Sequence, residues 1–250
     1  MTYCVAVMLD AGMVFASDSR TNAGVDHIST FRKMHVVEKP GDRVIVILTS
    51  GNLSITQNTI NILEHAARQG NDDANHTIYN ATSLFEVAEL VGNALRDVRQ
   101  RDGPWLTQSN IESGASMLVG GQIRGEPQRL FHIYGEGNFI EATADTPYFQ
   151  IGESKYGKPV IDRVVKRNTS LEDAGKCILV SFDSTMRSNI SVGMPIDLLA
   201  YRANELKVAL ERRIEENDPY FQMIHSRWGE GLRRVFAELP APEWITTSNP

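Results

Sequence analysis

Behind its first two residues the chain alternates Tyr3, Val5, Val7 and Leu9 with Cys4, Ala6, Met8 and Asp10, the period-2 pattern of a strand with at least one buried face. Chain ends are ordinarily loose and exposed, so this pattern predicts an amino terminus held inside the fold. Strand patterns follow over 13–17, at 36–37 and over 44–50, joined by the turns Asp10-Ala11-Gly12 and Lys39-Pro40-Gly41-Asp42; short strands with such turns make an antiparallel meander. After Gly51 the period lengthens. Leu53, Ile60, Leu63, Ala66 and Ala67 are spaced for a helix that ends at Gly70, and a second helix, capped at Thr82 or Ser83, carries Leu84, Val87, Ala88, Val91, Ala94, Leu95 and Val98 on one face. Two neighbouring amphipathic helices predict a layer.

Strands return over 115–120, over 129–134 and around Phe139-Ile140, with turns read at Gly120-Gly121 and at Gly135-Glu136-Gly137. Helices are expected over 158–166 and from Ser170, where Ser170-Leu171-Glu172-Asp173 resembles a capping box. Strand pattern resumes over 190–203. Blocks of strands alternating with blocks of helices indicate α+β layers with segregated helices rather than βαβ units. No composition break divides the chain, which is read as a single domain over 1–250 with a helical extension at 218–239. Asp218 caps that helix, Pro219 takes its first position and Pro240 closes it. Its apolar stripe of Phe221, Ile224, Trp228, Leu232, Val235 and Phe236 packs within the chain or meets a neighbouring subunit.

Composition narrows the class. Of 250 residues, 42% are hydrophobic and 22% charged, and the formal net charge is -6, which is ordinary globular composition. Scattered basic residues argue against nucleic acid as a partner. No apolar run approaches the ~18 residues of a membrane span, and no basic leader precedes the first strand; a cytoplasmic protein with nothing removed beyond Met1, and no membrane partner, is expected. Both cysteines, Cys4 and Cys177, lie in apolar runs and read as buried hydrophobes. His27, His35, His65, His76, His132 and His225 lack ligand spacing, and no metal or cofactor is expected.

Four positions carry candidate chemistry: Thr2, Asp18 in "FASDSRTNAG", Lys33 in "FRKMHVV" and Gly51 in "ILTSGN". Removal of Met1, which a small second residue permits, leaves a threonine with a hydroxyl nucleophile and an amine base on one carbon. A free α-amine titrates at about 7.7 to 8.0 and is only partly neutral at pH 7, so a nearby cation that lowers its pKa helps. Lys33 can supply that charge and stabilise an alkoxide. Asp18 can hold Lys33, and Gly51 can offer a bare backbone N–H to an oxyanion. Taken singly, Asp18 is a turn residue, Lys33 a solvated charge and Gly51 a helix start. None of these accounts explains the combination with an N-terminal strand.

The terminal Thr2 with its strand, "ASDSRTNAG", "RKMHVV", "LTSGN" and "GNFIEATADTPYFQIGE" together resemble proteasome-type β-subunits, a group of N-terminal-nucleophile hydrolases, and most closely their bacterial branch called Anbu, the ancestral β-subunit. The resemblance covers roughly residues 2 to 200. It implies a four-layer αββα sandwich of two antiparallel sheets flanked by helices, a threonine peptidase acting on peptides, and a homo-oligomer in a ring or ring-like stack; it identifies no unfoldase partner. It also implies that Thr2 is nucleophile and base, Asp18 and Lys33 its electrostatic partners, Gly51 the oxyanion donor and Arg20 a brace for the turn after Asp18.

The chain departs from that family at two places. Where the family carries a Gly-Ser-Gly turn whose serine organises the terminal amine, this chain has Gly152-Glu153-Ser154, leaving Ser154 as an alternative hydroxyl. The family's Asp-x-x-Ser-Gly segment is partly present in "FDSTMRSNISVG", with Asp183 the candidate acid and Ser184 or Ser188 the candidate serine. Both departures weigh against efficient turnover more than against the fold. Two alternatives to the peptidase therefore stand: an assembly subunit with weak or no activity, and an amidase acting on a small molecule.

Overall fold

The computed structural model describes residues 1–22, 28–69 and 76–244. His27, Gly70 and the Ala23-Gly24 end of the "ASDSRTNAG" stretch lie outside the described residues. The chain falls into two units, Met1–Glu216 and Asn217–Pro250.

In the first unit, strands β1 (Tyr3–Leu9), β2 (Gly12–Asp18), β3 (Arg20–Asn22), β4 (Ile28–Thr30), β5 (Met34–Lys39) and β6 (Arg43–Gly51) precede helices α1 (Leu53–Gln69) and α2 (Leu84–Gln108). Strands β7 (Ala115–Ile123), β8 (Arg129–Ile133), β9 (Phe139–Glu141) and β10 (Tyr148–Gly152) follow. Helices α3 (Lys158–Val164) and α4 (Leu171–Ser188) and strands β11 (Ile196–Arg202) and β12 (Val208–Ile214) complete the unit. One five-stranded sheet has the order β10-β1-β2-β11-β12 and the other β5-β6-β7-β8-β9, with antiparallel pairing throughout.

Strand periodicity builds the four layers. On β6, Val44, Val46 and Leu48 face Cys4, Ala6, Met13 and Phe15 of the other sheet, while Ile45 and Ile47 turn to the opposite side and meet Leu84, Val87, Val91 and Leu95 of α2, as alternation requires. On the far side α4 packs on β1 and β2, where the Tyr3 ring lies 4.6 Å from that of Phe182. Every residue of β1 is buried. The first strand thus has two buried faces, and the chain is buried from Thr2 to the end of β1 while Met1 stays exposed. Ser83 caps α2, its side chain accepting the Glu86 N–H, and Ser170 caps α4 by accepting from Asp173.

The structure corrects two sequence expectations. Gly120-Gly121 is not a turn: β7 runs through it, paired with Val46 and Ile45 of β6. A Cβ at Gly120 would lie 2.9 Å from Met13 Cε and 3.0 Å from Phe15 Cε1, so the glycine makes room for large side chains of the facing sheet. The strand expected over 190–203 begins only at Ile196. Before it the chain forms a loop after α4, in which Asn189 accepts the Ser191 N–H on its side chain and the Val192 N–H on its carbonyl. β3, β4 and β12 gave no sequence signal.

The second unit holds helix α5 (Pro219–Glu238). The Asp218 carboxylate accepts the N–H groups of Tyr220 and Phe221, and the Leu239 N–H closes on the Phe236 carbonyl.

Candidate active site

Alternation along β1 decides where Thr2 points. Cys4, Ala6 and Met8 face the second sheet, and period 2 puts Thr2 on that side, where it is 8% exposed. Its carbonyl accepts the Glu153 N–H at 2.7 Å, extending the β1–β10 pairing that sets Tyr3 opposite Gly152. Asp18 closes β2, Lys33 immediately precedes β5 and Gly51 closes β6. Three strand ends from two sheets therefore meet at the terminus.

Asp18 is fully buried and Lys33 is 4% exposed. The Lys33 ammonium donates to Asp18 Oδ1 and to the Arg20 carbonyl, both at 2.7 Å. The same Asp18 oxygen accepts the Tyr3 N–H at 3.0 Å, and Oδ2 accepts the Gly193 N–H at 3.4 Å. A buried ion pair survives only when its remaining hydrogen-bonding capacity is met, and backbone groups from three segments meet it here. Burial pushes the Asp18 carboxyl above the usual range, opposed by the Lys33 charge and by these N–H donors. With Met1 in place, burial and then Lys33 lower the pKa of the Met1 α-amine, while Asp18 and Glu153 raise it. Burial, with the Asp18 charge, drives the neighbouring Cys4 thiol far above its ordinary value, which leaves it inert as a nucleophile.

Thr2, Lys33 and Gly51 line one cleft of about 560 Å³ together with Thr21, Ser50 and Leu53. Asp18 stands behind it, in contact with Lys33. Gly51 has φ +107°, and a Cβ there would lie 2.2 Å from the Gly114 carbonyl oxygen, so only glycine fits. Arg20 donates to the Ile190 carbonyl at 2.9 Å, and its guanidinium lies against Gly193, where a Cβ would come within 2.3 Å of Cζ. It braces the loop that delivers the Gly193 N–H to Asp18.

Among the other candidates, Glu153 lies closest to the terminus. It is buried, with its N–H on Thr2, and its Oε2 accepts from Asn189 Nδ2 at 3.0 Å. Ser154 is half-buried and accepts the Lys158 N–H on its carbonyl. Asp183 is buried on α4, Ser184 donates to the Val180 carbonyl of its own helix at 3.0 Å, and Ser188 is exposed at the helix end. Neither serine hydrogen-bonds to Thr2. The sequence did not single out Asn189, Gly193 or Ser50. Only the helix end after Ser188 could have pointed to Asn189, since asparagine is common at such positions.

The profile of the proteasome family, described as proteasome subunit, matches residues 2–199. Among solved structures, Anbu (ancestral beta-subunit) from Yersinia bercovieri is 50% identical with a TM-score of 0.89, covering 96% of this chain and 99% of that one. A Gly-1 mutant of Anbu from Hyphomicrobium sp. strain MC1 is 45% identical with a TM-score of 0.91, covering 97% and 100%. A structure from Pseudomonas aeruginosa titled as the helical assembly of the Anbu complex is 46% identical with a TM-score of 0.91, covering 98% and 100%. No match was found among curated proteins.

Proposed function

Because the chain belongs to the proteasome-subunit family, in its Anbu branch, we propose that it is a threonine hydrolase that cleaves peptide bonds through Thr2 once Met1 has been removed. The observation that carries this reading is the Lys33 ammonium, held by Asp18 and the Arg20 carbonyl, on the cleft that also holds Thr2. A fixed cation there disfavours protonation of the adjacent amine and stabilises charge developing on Thr2 Oγ. In the acylation step the Thr2 amine takes the hydroxyl proton and Oγ bonds to the substrate carbonyl carbon. The C–N bond then breaks, and the proton passes to the leaving amine. Water hydrolyses the ester by the reverse proton route. In this reading the Gly51 backbone N–H serves the oxyanion. Identical subunits assemble, in keeping with the helical assembly named for the Pseudomonas relative.

The test is the terminus itself. Purified protein is expected to lack Met1 by intact mass and to form one covalent adduct per chain with a β-lactone, located at Thr2. Thr2→Ala should give no adduct while its melting temperature stays near that of the parent, because losing one small side chain with no side-chain hydrogen bond among the described residues costs about 1 kcal/mol or less. Retained Met1 with no adduct would move the assignment to a non-catalytic assembly subunit.

Glu153 favours that second reading in a graded form. Its carboxylate raises the pKa of the Met1 α-amine, and in this reading it acts with the same sign on the Thr2 amine once Met1 is gone, keeping that amine protonated over a wider pH range. An interaction of about 1.4 kcal/mol with the protonated amine is enough to remove up to tenfold of the neutral base. The amine acts only when neutral, so activity should rise with pH through its pKa. Glu153→Ser should then move the rising limb to lower pH and increase the rate near pH 7 by up to about tenfold. Superimposable pH–rate profiles of the two proteins, measured on short fluorogenic peptides, would free Glu153 of this role.

A further inference from the structure

The loop between α2 and β7 turns back onto the cleft. The Asn52 N–H donates to the Gly114 carbonyl at 2.8 Å and Asn52 Nδ2 to the Glu112 carbonyl at 2.9 Å. The Ile111 N–H closes on the Leu106 carbonyl at 2.9 Å. The segment is thus tied at one side to the end of α2 and at the other to the residue before α1, and Ile111 sits between these anchors. Ile111 lines the same cleft as Thr2 and Gly51, yet it is 49% exposed. A half-exposed isoleucine on open surface is ordinary in energy terms; on the wall of a cleft that Thr2 also lines, it offers apolar area to whatever enters.

Apart from Lys33, the other side chains on the cleft carry no charge. Among the described residues Lys33 is the one ionisable side chain lining the cleft, and its ammonium is already held by Asp18 and Arg20. We propose that Ile111, with Leu53, is the specificity-determining wall that selects an uncharged apolar side chain on the acyl-side residue of a peptide substrate. The inference rests on the threonine-hydrolase reading, in which the acyl half stays bonded to Thr2 Oγ and its side chain remains in the cleft while the amine half departs. An apolar side chain there loses contact with water against Ile111 and Leu53. A charged one loses hydration and finds no partner.

The experiment uses the assembled, Met1-free protein and three tripeptide epoxyketones that differ only in the residue next to the warhead: leucine, lysine or aspartate. A small β-lactone without peptide reports Thr2 reactivity separately. The parent should react with the leucine probe about tenfold faster than with the other two, the discrimination that one pocket contact typically supplies. In Ile111→Asp the lysine probe should gain on the leucine probe until the preference is level or reversed, each rate being taken relative to that protein's own lactone labelling, because a new carboxylate on this cleft also raises the pKa of the Thr2 amine. An unchanged leucine-to-lysine ratio alongside measurable lactone labelling overturns the role of Ile111 and leaves the hydrolase reading intact. If neither protein reacts with the lactone, the hydrolase reading falls, and fluorescence-anisotropy binding of the matching unreactive tripeptide amides decides the wall. A leucine preference lost in Ile111→Asp supports it, and equal binding overturns it.

Discussion

Replacing Lys33 by alanine is expected to slow acylation of Thr2 by about 10²- to 10³-fold, the loss typical of one preorganised electrostatic contact at developing charge. Two effects combine. Burial and Lys33 lower the pKa of the Met1 α-amine, and a cation acts with the same sign on a Thr2 amine at this place, so without Lys33 that amine is more often protonated, and the alkoxide loses the Lys33 charge. Stability should fall as well, because Asp18 is fully buried and receives the Lys33 ammonium at 2.7 Å; breaking a buried pair from one side costs about 3 to 5 kcal/mol. The double variant Asp18→Asn/Lys33→Ala separates these effects. It removes both charges, so its melting temperature should recover toward the parent while labelling by the β-lactone stays slow. Lys33→Arg should also be slow, because a planar guanidinium cannot meet the Arg20 carbonyl and Asp18 Oδ1 from the position of a compact ammonium. Parent-like labelling of Lys33→Arg would place Lys33 outside the chemistry.

Gly152→Ala is the second large effect. Gly152 has φ +81°, a left-handed conformation that costs a residue with a Cβ about 1 to 3 kcal/mol. The added carbon would lie 2.0 Å from the Thr2 carbonyl oxygen and 3.0 Å from Ser50 Oγ. Backbone must therefore shift, and the backbone in the way carries the proposed nucleophile. The Glu153 N–H contact to the Thr2 carbonyl goes with it. Displacing a reacting group by about 1 Å can cost 10²-fold, so labelling of Thr2 should drop by about that factor. A drop in melting temperature of about 2 to 4 °C per kcal/mol lost should accompany it. Gly125→Ala is the control: φ is +88° there, and nothing stands within 4 Å of the added carbon. It should show the backbone strain without the loss of labelling. Equal labelling by the parent and Gly152→Ala would mean that Thr2 tolerates movement of its strand.

Much of this site was legible in the chain because its parts are local signals. A strand starting at Tyr3 holds the terminus wherever its partners lie, and alternation along it fixes which way Thr2 faces once one neighbour is known to be buried. Asp18, Lys33 and Gly51 are each ambiguous alone. They became legible in combination with the N-terminal strand and through the resemblance their stretches carry, and the ends of β2, β5 and β6 do converge. The turn at Gly152 was legible in the same way, as a glycine closing a strand.

What the sequence could not carry is whatever depends on distant chain. Gly120-Gly121 has the local conformational freedom of a turn; pairing with Ile45 and Val46 of β6 makes it a strand, and Met13 and Phe15 across the sandwich explain why Gly120 is a glycine. β12 shows little buried face of its own and is a strand because it pairs with β11. The sequence determined that the chain has an N-terminal strand, an α+β layering and the residue types on which the proposed threonine hydrolase rests. The tertiary structure decided that Asp18 and Lys33 are buried together and that Asn189, from the end of α4, meets Glu153 beside the terminus. Burial and the pairing of charges are properties of the space between elements, and alternation along one strand holds no information about the chain that will fill it.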